Sequence, residues 1–244
     1  MQDTQKTLAQ AQIEAFYHDS FVKSQVSDFM ALIGKYLSND EGKIVDIGGG
    51  CGYFAKAIEA ETGSKLRVVD TDLKSIDVCK RAGIEAIYGD ALSPIIFGDE
   101  SVICFNLILH HLVGGSDNET YKLQSCALKN WHDKAPAIFI NEYIYESFVF
   151  KNFSGWLIYQ ITSNTFLSSI GKLISKLIPS LKANTFGIGV RFRSHSEWVN
   201  IFNLLGFDVV AVSFGKQERV SFSRRMLLIK NCRRDSFLLR PMKA

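Results

Sequence analysis

Apolar residues recur along the chain in two rhythms. Short apolar runs alternate with segments whose apolar positions are three or four residues apart, which are the spacings of buried strands and of amphipathic helices. The helical spacing occupies residues 4–38, as in Ile13, Tyr17 and Phe21, and predicts one or two helices ahead of the first strand. Strands are then predicted at residues 43–48, 66–70, 85–89, 102–106 and 137–144, with helices between them at 52–62, 73–82, 107–112 and 117–131.

This alternation predicts βαβ units, and therefore a parallel sheet with right-handed crossovers. After residue 145 it stops, and an aromatic, helical-looking insert runs to about residue 183. A helix follows that Ser194 or Ser196 can cap and that Gly206 ends. The polar turn GKQERV then separates two apolar runs, which predicts an antiparallel hairpin closing the sheet, with strands at residues 208–214 and 223–231.

Composition narrows the function classes. Of 244 residues, 47% are apolar and 22% charged, as is typical of a globular protein. The excess of 28 basic over 25 acidic residues gives a net charge of +3, which is too small to indicate a nucleic-acid partner. Five scattered cysteines without C-x-x-C pairing favour reduced thiols and no metal centre. With no apolar signal segment at the N-terminus, we expect a cytoplasmic location.

One uncharged stretch raises the question of a membrane. Residues 152–171 carry no charged side chain over twenty positions. Their serine, threonine, asparagine and glutamine content makes them a poor spanning helix. We therefore expect no membrane span, although peripheral contact stays open.

The stretch KIVDIGGGCGYFA, residues 43–55, breaks an apolar run with four glycines within five residues. A strand, a tight turn and a helix leave backbone N–H groups and the positive end of the helix dipole facing a ligand. Glycine allows close approach because it has no Cβ. The motif Asp46-x-Gly48-x-Gly50-x-Gly52 suits S-adenosylmethionine, but residues 50–55 also satisfy the dinucleotide pattern G-x-G-x-x-G/A. The loop predicts a nucleoside-containing ligand and leaves the two open.

Two acids follow the second predicted strand. Asp70 ends that strand, where a carboxylate can accept hydrogen bonds from both ribose hydroxyls of either ligand. Asp72 is the better N-cap for the next helix. We assign the ribose to Asp70 and the cap to Asp72.

A third acid separates the two ligands. Asp90 comes just after the third strand, where its carboxylate can accept from the exocyclic amine of adenine while the Ala91 N–H faces a ring nitrogen. Nicotinamide dinucleotides extend the other way across the sheet and do not need this residue. The alternative is that Asp90 only caps a turn.

The motifs VDIGGGCGYFA, VVDTD, YGDAL, FNLILHHL and RSHSEWVNIFNLLGF, in this order, resemble those of the class I S-adenosylmethionine-dependent methyltransferases. The resemblance covers residues 43–145 and 191–231. It implies a Rossmann-like α/β fold, doubly wound, with a seven-stranded sheet whose last strand is antiparallel. It also implies S-adenosylmethionine as the cofactor, and we assign to it Asp46, Gly48, Gly50, Gly52, Asp70, Asp90, Ala91 and Asn106.

The chain departs from the family pattern in two places. The fourth strand usually opens with an acid, whereas Ser101 stands at about that point here. Residues 146–190 match no family motif. We expect one domain over 1–244, divided into an N-terminal helical lid (1–40), a cofactor-binding core (41–145), a helical substrate-side insert (146–190), and a final helix with a strand hairpin (191–244).

Two histidines are the candidate catalytic residues. A sulfonium methyl group is already electrophilic, so a general base matters only for an acceptor that keeps its proton at neutral pH, such as a hydroxyl. His110 aligns with the histidine of an LH pair found in small-molecule O-methyltransferases, and His111 follows it. The alternative is that both histidines only hold the local helix in place.

The insert supplies the candidate substrate contacts. Trp156 and Tyr159 belong to an aromatic segment that would suit an apolar or aromatic small molecule, although packing or a homodimer interface explains it equally well. Arg191 could receive an acidic group on the substrate or lie in a solvated turn.

We therefore predict methyl transfer from S-adenosylmethionine to a small, apolar or aromatic molecule, with oxygen as the expected acceptor atom. The alternatives are an NAD(P)-dependent reductase, an RNA or protein methyltransferase, and a non-catalytic binding module.

Overall fold

The computed structural model describes residues 19–37, 42–169, 173 and 187–242. A short 3₁₀ turn, Leu109–His111, follows the fourth strand. In chain order the helices and strands are α1 (Asp19–Leu37), β1 (Lys43–Ile47), α2 (Tyr53–Thr62), β2 (Leu66–Asp70), α3 (Leu73–Arg81), β3 (Glu85–Tyr88), β4 (Glu100–Asn106), α4 (Asp117–Asn130), β5 (Ala137–Ser147), α5 (Phe153–Ser163), α6 (His195–Leu204), β6 (Phe207–Phe214), α7 (Phe222–Arg225) and β7 (Ile229–Pro241).

The strands form one seven-stranded sheet in the order β3-β2-β1-β4-β5-β7-β6. Neighbours from β3 to β5 are parallel, whereas β7 is antiparallel to both β5 and β6. The predicted seven-stranded, Rossmann-like sheet with one antiparallel strand is therefore confirmed. The chain reverses its direction of winding between β1 and β4, and such a switch point opens a crevice at the carboxyl ends of the strands.

Helices cover the sheet on both faces. On one face, called here the α1 face, Phe29, Phe54 and Phe139 belong to one buried apolar cluster. On the other face, called the α6 face, Ile140 and Trp198 belong to a second cluster. Because strands covered on both sides need apolar residues throughout, β1, β2 and β4 are near-continuous apolar runs, which is why the sequence identified them.

Helix α1 packs directly over the sheet. The Phe29 ring contacts the Phe54 and Phe139 rings edge-to-face, with centroids 5.6 and 5.2 Å apart. These contacts place α1 beside the start of α2, where the glycine-rich turn lies. Of the helices predicted within residues 4–38, the portion in residues 1–18 lies outside the described residues.

The predicted hairpin is wrong in its second strand. Residues 223–231 were expected to form it, but the strand is Ile229–Pro241, and Phe222–Arg225 form the short helix α7. The Ser221 hydroxyl caps that helix by accepting the Arg224 N–H. Residues 233–235 are charged, so the sequence pattern did not indicate a strand there. In the fold their charged groups have partners, as in the Arg233–Asp235 ion pair.

The insert is helical where it is described. Helix α5 is followed by a helical stretch at residues 165–169, and most of residues 170–186 lie outside the described part of the chain. None of the described helices combines the length and apolar character that crossing a membrane requires.

Candidate cofactor and substrate site

The glycine turn between β1 and α2 is packed too tightly for side chains. Gly48 has a φ of +68°, and a Cβ there would lie 2.6 Å from the Ile108 side chain. Gly52 has a φ of +74°, and a Cβ there would lie 2.9 Å from Cys79 Sγ. Since these positions need both a left-handed backbone and the missing Cβ, the turn comes into close contact with the segment after β4 and with α3.

Asp70 ties this turn to the end of β2. Its Oδ2 accepts the Gly50 N–H at 2.8 Å, and its Oδ1 accepts the Asp72 N–H at 2.8 Å. Burial raises the pKa of Asp70, although these two N–H groups oppose the shift. Each carboxylate oxygen has a second lone pair, so Asp70 can accept further hydrogen bonds while it holds the turn.

Asp72 caps helix α3, as predicted. Its carboxylate accepts the N–H groups of Lys74 and Ser75, both at 3.2 Å, and the Ser75 hydroxyl at 2.8 Å. The two neighbouring acids therefore have different local roles, and only Asp70 joins the ends of two strands. The ribose contact of Asp70 stays a prediction.

A row of buried amide and carboxylate groups lies on the α1 face at the carboxyl edge. Asp46 is two residues beyond Ile44, Asn106 two beyond Cys104 and Asn141 two beyond Phe139, and the three reference residues belong to the α1-face cluster. Because side chains two apart in a strand share a face, all three polar side chains lie on that face. Asn106 and Asn141 are also direct neighbours across β4 and β5.

The row presents oxygens without donors. The Asn106 Nδ2 group donates to Asp46 Oδ1 at 3.4 Å, and Asn141 Nδ2 donates to Ser236 Oγ at 2.6 Å. Within the described residues, Asp46 Oδ2, Asn106 Oδ1 and Asn141 Oδ1 are buried and accept no hydrogen bond. The same holds for Oε1 of Gln25, which lies one helical turn before Phe29 on α1.

These orphaned acceptors define what the site can bind. A buried polar group without a partner costs about 1–3 kcal/mol, so several close together favour a ligand that brings donors. Burial raises the pKa of Asp46 to about 7, with a hydrogen bond from Asn106 opposing this effect and the charge of Asp70 adding to it. A compact cation with several N–H groups, such as an ammonium, would satisfy the acceptors and keep Asp46 ionised.

Glu142 organises the turn after β4. It is fully buried, and its Oε1 accepts the Leu109 N–H at 2.8 Å while its Oε2 lies 2.7 Å from Nδ1 of His110. The carboxylate partner places the proton of a neutral His110 on Nδ1. Just ahead of the turn, Leu107 adopts a φ of +55°, a conformation that a leucine keeps only when its surroundings enforce it.

The two histidines have different surroundings. The His110 ring is buried and stacks on Phe192, with centroids 4.9 Å apart. The His111 ring lies 4.2 Å from the His110 ring and borders a pocket. Burial, together with the neighbouring His110, holds the pKa of His111 well below its usual range, so His111 is uncharged at neutral pH.

The pocket beside His111 has a volume of about 540 Å³. Asp90 borders it from the loop after β3, and Tyr159 borders it from α5. Among the described residues that line it, aliphatic side chains are mixed with hydroxyl and amide groups, and Asp90 is the one carboxylate. The lining residues are Asp90, Leu92, His111, Leu112, Val113, Gly114, Gly115, Leu123, Tyr159, Gln160, Ser163, Asn164, Thr165 and Ile188.

Asp90 also stabilises its own turn. Its Oδ1 accepts the Leu92 N–H at 2.9 Å, and its carbonyl accepts the Ser93 N–H at 3.0 Å. Ala91 is buried beside it, and its carbonyl accepts the indole N–H of Trp131 at 2.8 Å. Asp90 therefore caps its turn, as the alternative interpretation expected, and also lies on the wall of the pocket.

Solved structures with the same architecture identify the fold. No protein-family model and no curated protein match the sequence. The MccD protein is similar over 88% of this chain and 95% of its own, with a TM-score of 0.57 and 12% identity. Magnesium protoporphyrin IX methyltransferase (ChlM) from Synechocystis PCC 6803, with bound SAH, is similar over 98% and 90%, with a TM-score of 0.53 and 14% identity.

This chain has the class I methyltransferase fold. That agrees with the motif resemblance, but the fold alone does not determine the reaction. The [4+2]-cyclase SpnF is also similar to this chain, over 88% of this chain and 80% of its own, with a TM-score of 0.54 and 8% identity. The reaction therefore depends on the residues of this site.

Within this methyltransferase fold, the other two predicted substrate contacts lie apart from the pocket lining. Arg191 is buried, and its guanidinium donates to Asp117 at 2.7 Å, to Glu197 at 3.4 Å and to the Phe192 carbonyl. Trp156 is exposed and packs on Phe153, with ring centroids 5.3 Å apart. Their substrate roles stay predictions, and the ion pairs of Arg191 favour a structural role.

Sequence reasoning did not select Asn141 or Glu142. Both stand in the run AIFINEYI, where two polar residues interrupt an apolar strand near its carboxyl end. Polar side chains in a strand that is buried on both faces need a partner or a ligand. That interruption was the available signal.

The pKa of Asp46 leads to a stability prediction for the ligand-free protein. A folded-state pKa of about 7, against 3.8 ordinarily, means that folding takes up a proton between about pH 4 and pH 7. The free energy of unfolding contributed by this group therefore falls as pH rises through that range. Asp46→Asn should remove the dependence, so its stability relative to the wild type should be greater at pH 8 than at pH 5, by a few kcal/mol.

Denaturant unfolding of both proteins at the two pH values measures this difference. Asp77→Asn is the matched control, since the Asp77 side chain is 74% exposed and its replacement should shift stability equally at both pH values. The same Asp46→Asn difference at pH 5 and pH 8 would contradict the buried, protonatable carboxylate.

Proposed function

We propose that the chain is an S-adenosylmethionine-dependent methyltransferase that acts on a small, apolar or aromatic molecule at a hydroxyl oxygen. The observation that carries the proposal is the row of orphaned acceptors on Asp46, Asn106 and Asn141 beside a glycine turn that Asp70 holds in place. The amino-acid end of S-adenosylmethionine has an ammonium, which this row suits, and its ribose suits Asp70.

The carboxylate, the ribose and the adenine of the cofactor each have a matching group in the chain. The turn at residues 48–52 exposes backbone at the N-terminus of α2, where a carboxylate is favoured. The carboxylate of Asp70 keeps lone pairs for ribose hydroxyls, and Asp90 with Ala91 would bind the adenine. When bound, S-adenosylmethionine supplies an electrophilic methyl group.

The pocket suggests the class of acceptor. Among the described residues that line it there is neither lysine nor arginine, and the one carboxylate is Asp90. A phosphorylated acceptor would find no cation among those residues. Aliphatic walls with hydroxyl and amide groups favour a neutral molecule with an apolar body and a few polar atoms.

We assign the general base to His111 and a positioning role to His110. His111 borders the pocket and its lowered pKa keeps it neutral. A ring nitrogen of His111 would therefore take the hydroxyl proton of the acceptor when the methyl group passes from the sulfonium to the acceptor oxygen, with S-adenosylhomocysteine as the leaving group. His110 faces Glu142 and Phe192 instead. The sequence-based prediction favoured His110 as the base over His111; the proposal made here reverses that order.

The alternatives fit the site less well. A dinucleotide-binding Rossmann sheet has the order 3-2-1-4-5-6, whereas this sheet carries an antiparallel strand between β5 and β6. A nicotinamide dinucleotide would also bring a pyrophosphate to the glycine turn, where the carboxylates of Asp46 and Asp70 are close enough to interact. RNA as an acceptor would require cations, and the part of the pocket lining that the structure describes has none.

Ligand-dependent thermal stability tests the cofactor assignment. S-adenosylhomocysteine should raise the melting temperature of the wild type and NADH should not. Asp70→Ala should weaken S-adenosylhomocysteine binding by about 5- to 150-fold, as expected when hydrogen-bonded groups lose a partner worth about 1–3 kcal/mol.

Asp72→Ala is the matched control for that experiment. It removes a helix cap, which costs about 1 kcal/mol of stability, but should leave the affinity within about twofold. Stabilisation by NADH alone, or equal weakening in the two variants, would overturn the assignment.

The base assignment is tested by replacing each histidine separately with alanine. The acceptor for the assay is found by screening small phenols and alcohols with labelled S-adenosylmethionine. His111→Ala should lower kcat by about 10²- to 10⁴-fold, the usual contribution of a general base, with S-adenosylhomocysteine affinity unchanged. His110→Ala should lower kcat less and should also reduce thermal stability. A full-rate His111→Ala enzyme would refute the base, and loss confined to His110→Ala would return the role to His110.

A further inference from the structure

Two neighbouring loops at the carboxyl edge of the sheet expose large apolar side chains to solvent. The loop between β5 and α5 exposes Phe148 by 53% and Phe150 by 83%, and the segment before β7 exposes Phe222 by 82% and Met226 by 69%. We call residues 148–152 and 216–230 together the aromatic tip. Folded monomers seldom present so many large apolar side chains close together without a use for them.

The two halves of the tip are joined. The Phe148 N–H donates to the Leu228 carbonyl at 3.0 Å, and the Ser147 hydroxyl donates to the same carbonyl at 3.1 Å. Phe150 and Leu228 adopt left-handed backbone conformations, with φ of +46° and +60°. Residues without a glycine's freedom hold such angles only when the surroundings enforce them, so the tip has a defined shape.

The tip also holds the positive charge of the chain. Its residues include six basic side chains and one acidic one, a net charge of +5, whereas the whole chain has a net charge of +3. The remainder of the chain is therefore at −2. The one acid, Glu218, already lies 3.8 Å from Arg224. The basic residues are Lys151, Lys216, Arg219, Arg224, Arg225 and Lys230.

We propose that the aromatic tip docks the protein on the surface of an anionic lipid bilayer. Aromatic side chains surrounded by lysine and arginine suit the headgroup region, where rings enter the acyl boundary and cations remain with anionic lipids. Side chains that project from loop ends can enter a deformable lipid layer. A folded protein partner would instead need cavities complementary to each one.

The location of the tip links it to the candidate site. Ser147 ends β5 and pairs with Ile229 at the start of β7, so the tip lies at the sheet edge where the glycine turn and the pocket lie. Helix α5, which borders the pocket through Tyr159, begins directly after the tip. Docking would therefore bring this edge to the bilayer, whatever reaction the site performs.

Vesicle flotation of the full chain without cofactor tests the proposal. The wild type should float with vesicles of phosphatidylcholine and 30 mol% phosphatidylglycerol, and less with phosphatidylcholine alone or at 0.5 M salt. The double variant F150S/F222S should reduce the bound fraction at limiting lipid by about tenfold or more. R225E should reduce binding to anionic vesicles only.

Leu204→Ser is the matched control, because Leu204 is 67% exposed but ends α6 at the opposite edge of the sheet; it should float like the wild type. Light scattering of the same proteins tests the other candidate occupant of the tip, a second copy of this chain. Lipid docking would be overturned if the wild type failed to float or if F150S/F222S bound vesicles as the wild type does. It would also be overturned if the wild type were a dimer and F150S/F222S a monomer. None of these outcomes depends on S-adenosylmethionine, so the proposed function is judged separately.

Discussion

A carboxylate buried beneath a glycine turn is the constraint on which the site depends. Asp46 lies at the carboxyl end of β1, has one oxygen to which no described residue donates, and has a pKa raised to about 7 by burial. A group of this kind reduces the stability of the empty protein near neutral pH, and a cation in contact with it reverses that cost. The acceptors of Asn106 and Asn141 extend the same requirement across β4 and β5. Ligand binding and local stability are therefore coupled through one patch of the sheet.

The surrounding elements keep that patch buried and in shape. Phe29 fixes α1 over the sheet through Phe54 and Phe139, while the turn after β4 is held by two hydrogen bonds that the Glu142 carboxylate accepts. Antiparallel β7 pairs with β5 along its length and supplies Ser236 to Asn141. Each contact comes from a different part of the chain, so the site depends on segments from both ends of the sequence.

Much of the fold could be predicted from the sequence because its central strands are buried on both faces and read as continuous apolar runs. The glycine turn, Asp70 and the Asp72 cap follow local rules of backbone conformation and capping, which need no tertiary information. Strand β7 was misplaced because Arg233 and Asp235 neutralise each other in the folded state, and local patterning does not show such pairs. The sequence did not predict that Arg191 is buried against Asp117, for the same reason, since the two residues are 74 positions apart. Choosing between His110 and His111 required knowing which ring borders the pocket.

The most direct test of the cofactor's orientation is a comparison of two ligands by titration calorimetry: S-adenosylhomocysteine, and the analogue in which its α-amino group is replaced by hydrogen. If the ammonium lies against Asp46, the wild type should bind S-adenosylhomocysteine about tenfold to 150-fold more tightly, because a hydrogen bond to a charged group contributes about 1.5–3 kcal/mol. Asp46→Asn should remove most of that preference by weakening S-adenosylhomocysteine alone. Equal affinity of the two ligands for the wild type would contradict the proposed site.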